Sequence, residues 1–226
     1  KGIYRLTGEL PERAKARTYN NDPVDEKNPW DFHLDTLVHF DPKRNTTNSN
    51  QALEYFENVA TKPHEKLPDL VNLLHKEFNR FWKVVRKGEE ITRLNPSSLD
   101  FTLRHLDNAR FNLVRLSYVY TRASIVIDEL DKAIAVLGDM KRFTDKLDDD
   151  WVEERAWMAF ELARAYAIRA DSTANDTDSS NAVKFLRISI EENGVNGEIT
   201  SWDEIKSDTF KSIWNDSGYK ELIRGR

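Results

Sequence analysis

The stretch Ala159-Phe160-Glu161-Leu162-Ala163-Arg164-Ala165-Tyr166, followed by Ala182-Val183-Lys184-Phe185-Leu186, decides the fold. Ala163 and Ala182 are small enough for two helices to approach closely, and Tyr166 and Leu186 are large enough to fill the gap beside them. The residues beyond complete the pattern. Trp202-Asp203-Glu204-Ile205, Asp208-Thr209-Phe210, Ile213-Trp214 and Tyr219-Lys220-Glu221-Leu222 are short apolar clusters that can close the open face of such a pair. Ser201 and Glu204 have the spacing of a capping box, which predicts a short helix there, with further turns near 207–214 and 218–224. This is how a binding scaffold is built, and none of these residues is arranged for chemistry.

Working toward the N-terminus, Asp148-Asp149-Asp150 precedes Trp151 and a helix predicted to run to about Ala170, with acidic residues at the positive end of its dipole. The tract Asp171–Ser180 reads as a loop, and a second helix is expected from Asn181 to Glu192, stopped by Asn193-Gly194. Upstream, Leu106, Ala109, Leu113, Leu116, Tyr120, Ala123, Ile127, Leu130, Ile134 and Leu137 repeat by threes and fours, with no Gly or Pro between Pro96 and Gly138. One helix over this run would have about forty residues and span roughly 60 Å. The alternative is two helices with a polar break near Thr121-Arg122 or Asp128-Glu129. Apolar residues off the stripe, such as Phe111, Val114 and Val119, call for several packed neighbours rather than a free coiled coil. Asn95-Pro96 is a start signal. Before it, Leu67, Val71, Leu74, Phe78, Phe81 and Val85 make a stripe on a helix expected to stop at Gly88, and 51–60 is a short helix ending near Pro63.

Residues 1–50 are polar and broken by Pro11, Pro23, Pro29 and Pro42. The island Trp30–Phe40 alternates at Phe32, Leu34, Thr36, Val38 and Phe40, as a strand or an extended arm would. The sequence therefore predicts an all-α protein in three parts. An extended polar N-terminal arm occupies 1–49, a helical bundle with long helices 50–145, and a helical hairpin with a terminal cap 146–226.

Composition narrows the function classes. The chain has 226 residues, 8 Gly and 7 Pro, which favours long helices over many short strands. Its net charge of −5 argues against general binding of a phosphate backbone, although Lys83, Arg86 and Lys87 form a local basic group. The absence of cysteine removes disulfides, thiolate nucleophiles, Cys-ligated zinc and iron–sulfur clusters. No run reaches the roughly 18 apolar residues of a membrane-spanning helix. The chain starts at Lys1 and not Met, so either a leader has been removed or it is a piece of something longer.

From about Ala156 to Leu222 the chain resembles a tetratricopeptide repeat of the kind that ends an array. Leu162, Ala163 and Tyr166 sit at the spacing of that repeat's first helix, Ala182 and Leu186 at that of its second, and the Trp202–Leu222 tail looks like the segment that closes such arrays. Ala159 stands where a Trp often does, Gly194 where the Pro would be, and the predicted loop is about seven residues longer than usual. The resemblance implies a concave face lined by the first helix, with Glu161, Arg164 and Arg169 exposed on it as partner-binding candidates. Glu161 and Arg164, three apart, share a face, whereas Arg169 points away from Arg164. Trp30 and Phe32 of the arm are further candidates.

Chemistry is sparse by comparison. His33, His39, His64, His75 and His105 show no metal-ligand spacing, and His75-Lys76-Glu77-Phe78 lacks the second His of a zinc-protease helix. Asp171, Asp176 and Asp178 lack the Gly and distal Glu of a calcium loop. There is no Gly-rich phosphate loop, nucleophile elbow or kinase signature. The expectation is a non-enzymatic interaction module or scaffold with no cofactor or metal, whose partners are other proteins and not nucleic acid. Alternatives are a structural accessory subunit of a large assembly, organellar if a leader was removed, and a sensor or regulatory domain of a longer chain.

Overall fold

The computed structural model describes residues 56, 58–63, 65–94, 99–193 and 202–224. Among them the fold is all-α, as the sequence predicts. The elements are α1 (Leu67–Leu94), α2 (Leu99–Val126), α3 (Leu130–Thr144), a 3-10 turn (Asp149–Trp151), α4 (Val152–Thr173), α5 (Asp176–Asn193), α6 (Trp202–Ile205), a 3-10 helix (Asp208–Ile213) and α7 (Ser217–Ile223). The expected arm, with Trp30 and Phe32, lies outside the described residues, as do Asn95-Pro96 and Ser201. The chain divides into two compact units, with the boundary at Tyr120/Thr121 inside α2.

In the first unit the predicted stripe of α1 is the buried one: Leu67, Val71, Leu74, Phe78, Phe81 and Val85 are all in the core. The helix does not stop at Gly88 but continues to Leu94. Gly88 serves packing here, since a Cβ at this position would stand 2.8 Å from Cδ1 of the buried Leu106. A glycine that admits a neighbour's side chain costs helix propensity, about 1 kcal/mol, yet does not end the helix. Closer to the start of α1, His75 and Phe78 stack on Tyr120, with ring centroids 5.2 and 6.2 Å away. Residues 112–120 are buried without interruption, so this part of α2 is enclosed on all sides, as its off-stripe apolar residues require.

The second unit begins with the last turn of α2. The long repeat is two helices, broken at Ile127-Asp128-Glu129, the second of the two sites where the sequence allows a break. Asp128 adopts φ 63°. Its N–H donates to Ile125 O at 3.1 Å and the Glu129 N–H to Ser124 O at 2.8 Å. That pair of bonds is a Schellman termination, here with Asp in the left-handed position usually held by Gly.

α4 is the centre of this unit, packed against α3, α5 and the 3-10 helix. The tract 171–180 is not a loop. α4 runs on to Thr173, only Ala174 and Asn175 intervene, and α5 starts at Asp176. Three local devices make the tight turn. The Ser172 and Thr173 hydroxyls donate back to Arg169 O, so polar side chains prolong the helix. Ala174 is left-handed at φ 51°, with its N–H donating to Ala170 O at 2.8 Å. Asn175 Oδ1 accepts the Thr177 N–H at 2.9 Å, satisfying a free donor of the next helix.

The hairpin core is the expected one. Ala163, Ala182 and Leu186 are fully buried, and Tyr166 stacks on Phe185 at 5.8 Å with rings 2° from parallel. The tail closes it. Ile205, Phe210, Ile213 and Tyr219 join the same cluster, Phe210 lies 5.8 Å from Phe160, and the Tyr219 hydroxyl donates to Ile205 O. Gly218 lets α7 sit close to α5, because a Cβ there would be 2.9 Å from Val183 Cγ1.

Candidate functional site

The side chains expected on an open face of α4 are engaged within the protein. Residues 158–163 are all buried, so α4 presents no surface along that stretch, contrary to the expected concave face. Enclosure by α3, α5 and the tail is the reason. Glu161 is 0% exposed. It is held bidentately by Arg122 from the end of α2, with Nε donating to Oε2 at 2.9 Å and Nη2 to Oε1 at 2.6 Å. Arg164 Nη1 lies 3.5 Å from Glu161 Oε2, so the two do share a face, and its side chain is 17% exposed. Glu204 of α6 completes the group at 3.6 Å from Arg122 Nη2. Burial pushes the Glu204 carboxyl above the usual carboxylate range; Arg122 opposes this and Glu161 adds to it. Two guanidinium and two carboxyl groups alternate here, so the fully enclosed Glu161 side chain faces groups of opposite charge and not apolar surface alone.

Arg169 belongs to a separate group, as the sequence spacing predicts, but it too is half-buried and paired, with 25% of its side chain exposed. Its Nε and Nη2 donate to the two oxygens of Asp178 at 2.8 and 2.7 Å, and Nη1 donates to Asp131 at 2.5 Å. One side chain thereby ties the last turn of α4 to the first turns of α5 and α3. Donating to the Asp178 carboxylate raises the Arg169 pKa further above its ordinary value. The guanidinium also lies 5.3 Å from the Tyr166 ring centroid.

Glu161 is therefore corrected from an exposed surface residue to an enclosed one, and Arg164 and Arg169 to half-buried members of ion pairs. The sequence does not show that Arg122, Asp131, Asp178 and Glu204 are their partners. The i,i+3 spacing makes Glu161 and Arg164 visible as a pair, but Arg122 is 39 residues from Glu161, and Asp178 sat in a tract taken as loop. The Asp148–Asp150 run stays exposed; Arg155 donates to Leu147 O and Asp148 O beneath it. Among the described residues no group of three or more His, Asp or Glu is gathered as metal ligands would be, and no helix is long and apolar enough to cross a membrane.

No protein family, curated protein or solved structure matches this chain.

Proposed function

We propose that this protein is a non-catalytic interaction module, a helical scaffold that acts through its outer helical surfaces toward other proteins. The observation that carries the reading is the use made of its enclosed carboxylates. Glu161 and Asp178, the buried acids among the described residues, are each held through both carboxylate oxygens by one edge of an arginine from another helix. A general acid or base needs a lone pair or proton free to reach a substrate. Bidentate guanidinium pairing occupies both oxygens of each carboxylate. These charges hold helices in register and leave recognition to the outside.

The likeness to an array-ending tetratricopeptide hairpin is part of the same proposal. The two-residue turn, the close contact at Ala163 and Ala182, and the apolar tail folded over the hairpin all favour it. Helix length argues the other way. α4 and α5 have 22 and 18 residues, together longer than one whole repeat of about 34.

The test is affinity capture with the whole chain as bait and quantitative identification of what is retained. A reproducible set of protein partners at near-stoichiometric yield is the expected result. Turnover of a small molecule by the purified chain, abolished by Glu161→Gln at unchanged fold, would overturn the reading.

A further inference from the structure

The outer face of α1 carries a concentrated run of cations. Between His75 and Lys87 there are five cations, Lys76, Arg80, Lys83, Arg86 and Lys87, and one carboxylate, Glu77. The chain as a whole has 34 Lys and Arg against 39 Asp and Glu. All five cations are exposed, as are His75 and Asn79 between them. Lys76, Arg80, Lys83 and Lys87 follow one another by four, three and four residues, which sets them in one line along the helix. The line is about 16 Å long, from eleven steps of about 1.5 Å.

Internal pairing does not consume this charge. Glu77 pairs with Arg80 at 2.7 Å, and Glu90 takes Lys87 at 2.6 Å from beyond the stripe. Among the described residues neither Lys76 nor Lys83 has a carboxylate partner. Beside the line, Arg86 lies 5.0 Å from the Trp82 ring centroid, and Trp82 stacks on Phe78 at 6.0 Å. The half-buried Trp82 thus forms a firm aromatic ledge along the basic row. A row of surface charges by itself contributes little affinity and much steering, and an adjoining Trp–Arg pair is the kind of feature that anchors an interface.

We propose that this face of α1 docks an acidic helix of a partner protein, with carboxylates at the same four-three-four spacing facing Lys76, Arg80, Lys83 and Lys87, and an apolar side chain lying against Trp82. The proposal rests on the interaction-module reading and names the chemistry of the partner. Spacing favours a helix, since carboxylates three and four residues apart on a facing helix repeat at the same interval as the cations. The overall charge of −5 disfavours a long polyanion, which would meet repulsion from the rest of the surface. Arg80 lies over Phe81 at 5.6 Å, Arg86 beside the row lies over Trp82, and Lys87 is paired with Glu90, which leaves Lys76 and Lys83 as the freely placed charges.

The probe is a synthetic helical peptide of about 20 residues, long enough to hold helix in water. It carries Glu at four-three-four spacing and one Leu beside the row, and binding to the whole chain is read by fluorescence anisotropy. A second peptide of equal composition has its Glu spacing scrambled. A duplex DNA and anionic phospholipid vesicles serve as competing ligands, and sedimentation velocity reports self-association. The expected result is binding that weakens about tenfold in Lys76→Glu/Lys83→Glu. It should also weaken several-fold between ionic strengths of about 0.01 and 0.15 M, over which the Debye length falls from about 30 to about 8 Å. Trp82→Ala should weaken it further, and the scrambled peptide should bind at least about threefold less tightly. Both substituted lysines are exposed, and an unchanged circular dichroism spectrum and Tm show that the variant is folded. Equal binding by wild type and the charge-reversed variant overturns the proposal. So does preference for the duplex or the vesicles over the peptide, or stripe-dependent assembly of the chain with itself. Affinity capture separates the two levels. If the charge-reversed chain retains every partner of the wild type, the stripe fails and the interaction-module reading stands; if neither bait retains a partner, both fail.

Discussion

Glu161 has the most demanding environment of any described residue. It is a fully enclosed carboxylate between Arg122 and Arg164, on a stretch of α4 that is otherwise apolar or alanine. Removing one member of such a pair leaves the other charge in a poor solvent, so the loss exceeds the net worth of the interaction. Glu161→Gln should cost about 3 kcal/mol in urea unfolding, moderated because Glu204 stands near the same guanidinium. The paired change Arg122→Met with Glu161→Leu should recover most of that loss, since apolar replacement of a whole buried pair is often neutral. Glu204 behaves in the opposite sense. Its folded-state pKa is raised, chiefly by burial, as is that of Glu154. The native state therefore binds these protons more tightly than the unfolded chain does. Their effect on stability is most favourable below the unfolded carboxylate range and declines as pH rises toward the raised folded values. Glu204→Gln should make the protein at least as stable as wild type at pH 7, with the difference closing by about pH 4; parallel thermal melts at the two pH values check it.

At the scale of elements, two helix ends are made by residues other than Gly or Pro. Asp128 ends α2 and Ala174 ends α4, both left-handed. A Cβ in that conformation costs about 1 kcal/mol, more for Ala than for Asp, whose side chain tolerates it. Ala174→Gly should raise stability by about 0.5–1 kcal/mol, seen as a higher Tm with an unchanged spectrum, because relief of the Cβ outweighs the added freedom of the unfolded chain. Ala174→Val should lower stability by about 1 kcal/mol or more at the same position. These ends also explain the misplaced breaks. Gly88 looked like a stop and is a packing notch for Leu106. The ten polar and small residues 171–180 looked like a loop and are two helix ends with a two-residue turn, secured by Arg169 on Asp178 and Asp131.

At the scale of the whole molecule, the second unit depends on its tail. Ile205, Phe210, Ile213 and Tyr219 cover the face of α4 and α5 that Phe160, Ala163, Ala182 and Leu186 would otherwise show to water. The Ser212 hydroxyl donates to Ala167 O at 2.8 Å and Lys211 pairs with Asp171 at 3.0 Å, fixing the cover in place. Each large apolar side chain uncovered costs about 1.5–3 kcal/mol, and the loss of four exceeds the whole stability of many small domains. Truncation after residue 201 should abolish cooperative unfolding of this unit and produce strong dye binding to exposed apolar surface; a retained sharp transition would show that the hairpin holds without its cover.

The sequence by itself determined the all-α class, the buried stripe of α1, the enclosure of α2, the small-residue contact at Ala163 and Ala182, and the closing tail. All are set by the period and size of apolar side chains, which local geometry converts directly into a buried face. It also set the i,i+3 relation of Glu161 and Arg164. Tertiary structure alone decided that this pair is enclosed, that Arg122 and Glu204 complete it, and that Arg169 joins three helix ends. Burial of a charge depends on which distant element covers it, and no spacing along the chain records an arginine 39 residues away. Tertiary structure also chose the break at Asp128-Glu129 over the one at Thr121-Arg122, and placed the end of α4 at Ala174, a left-handed residue that local preference would not choose.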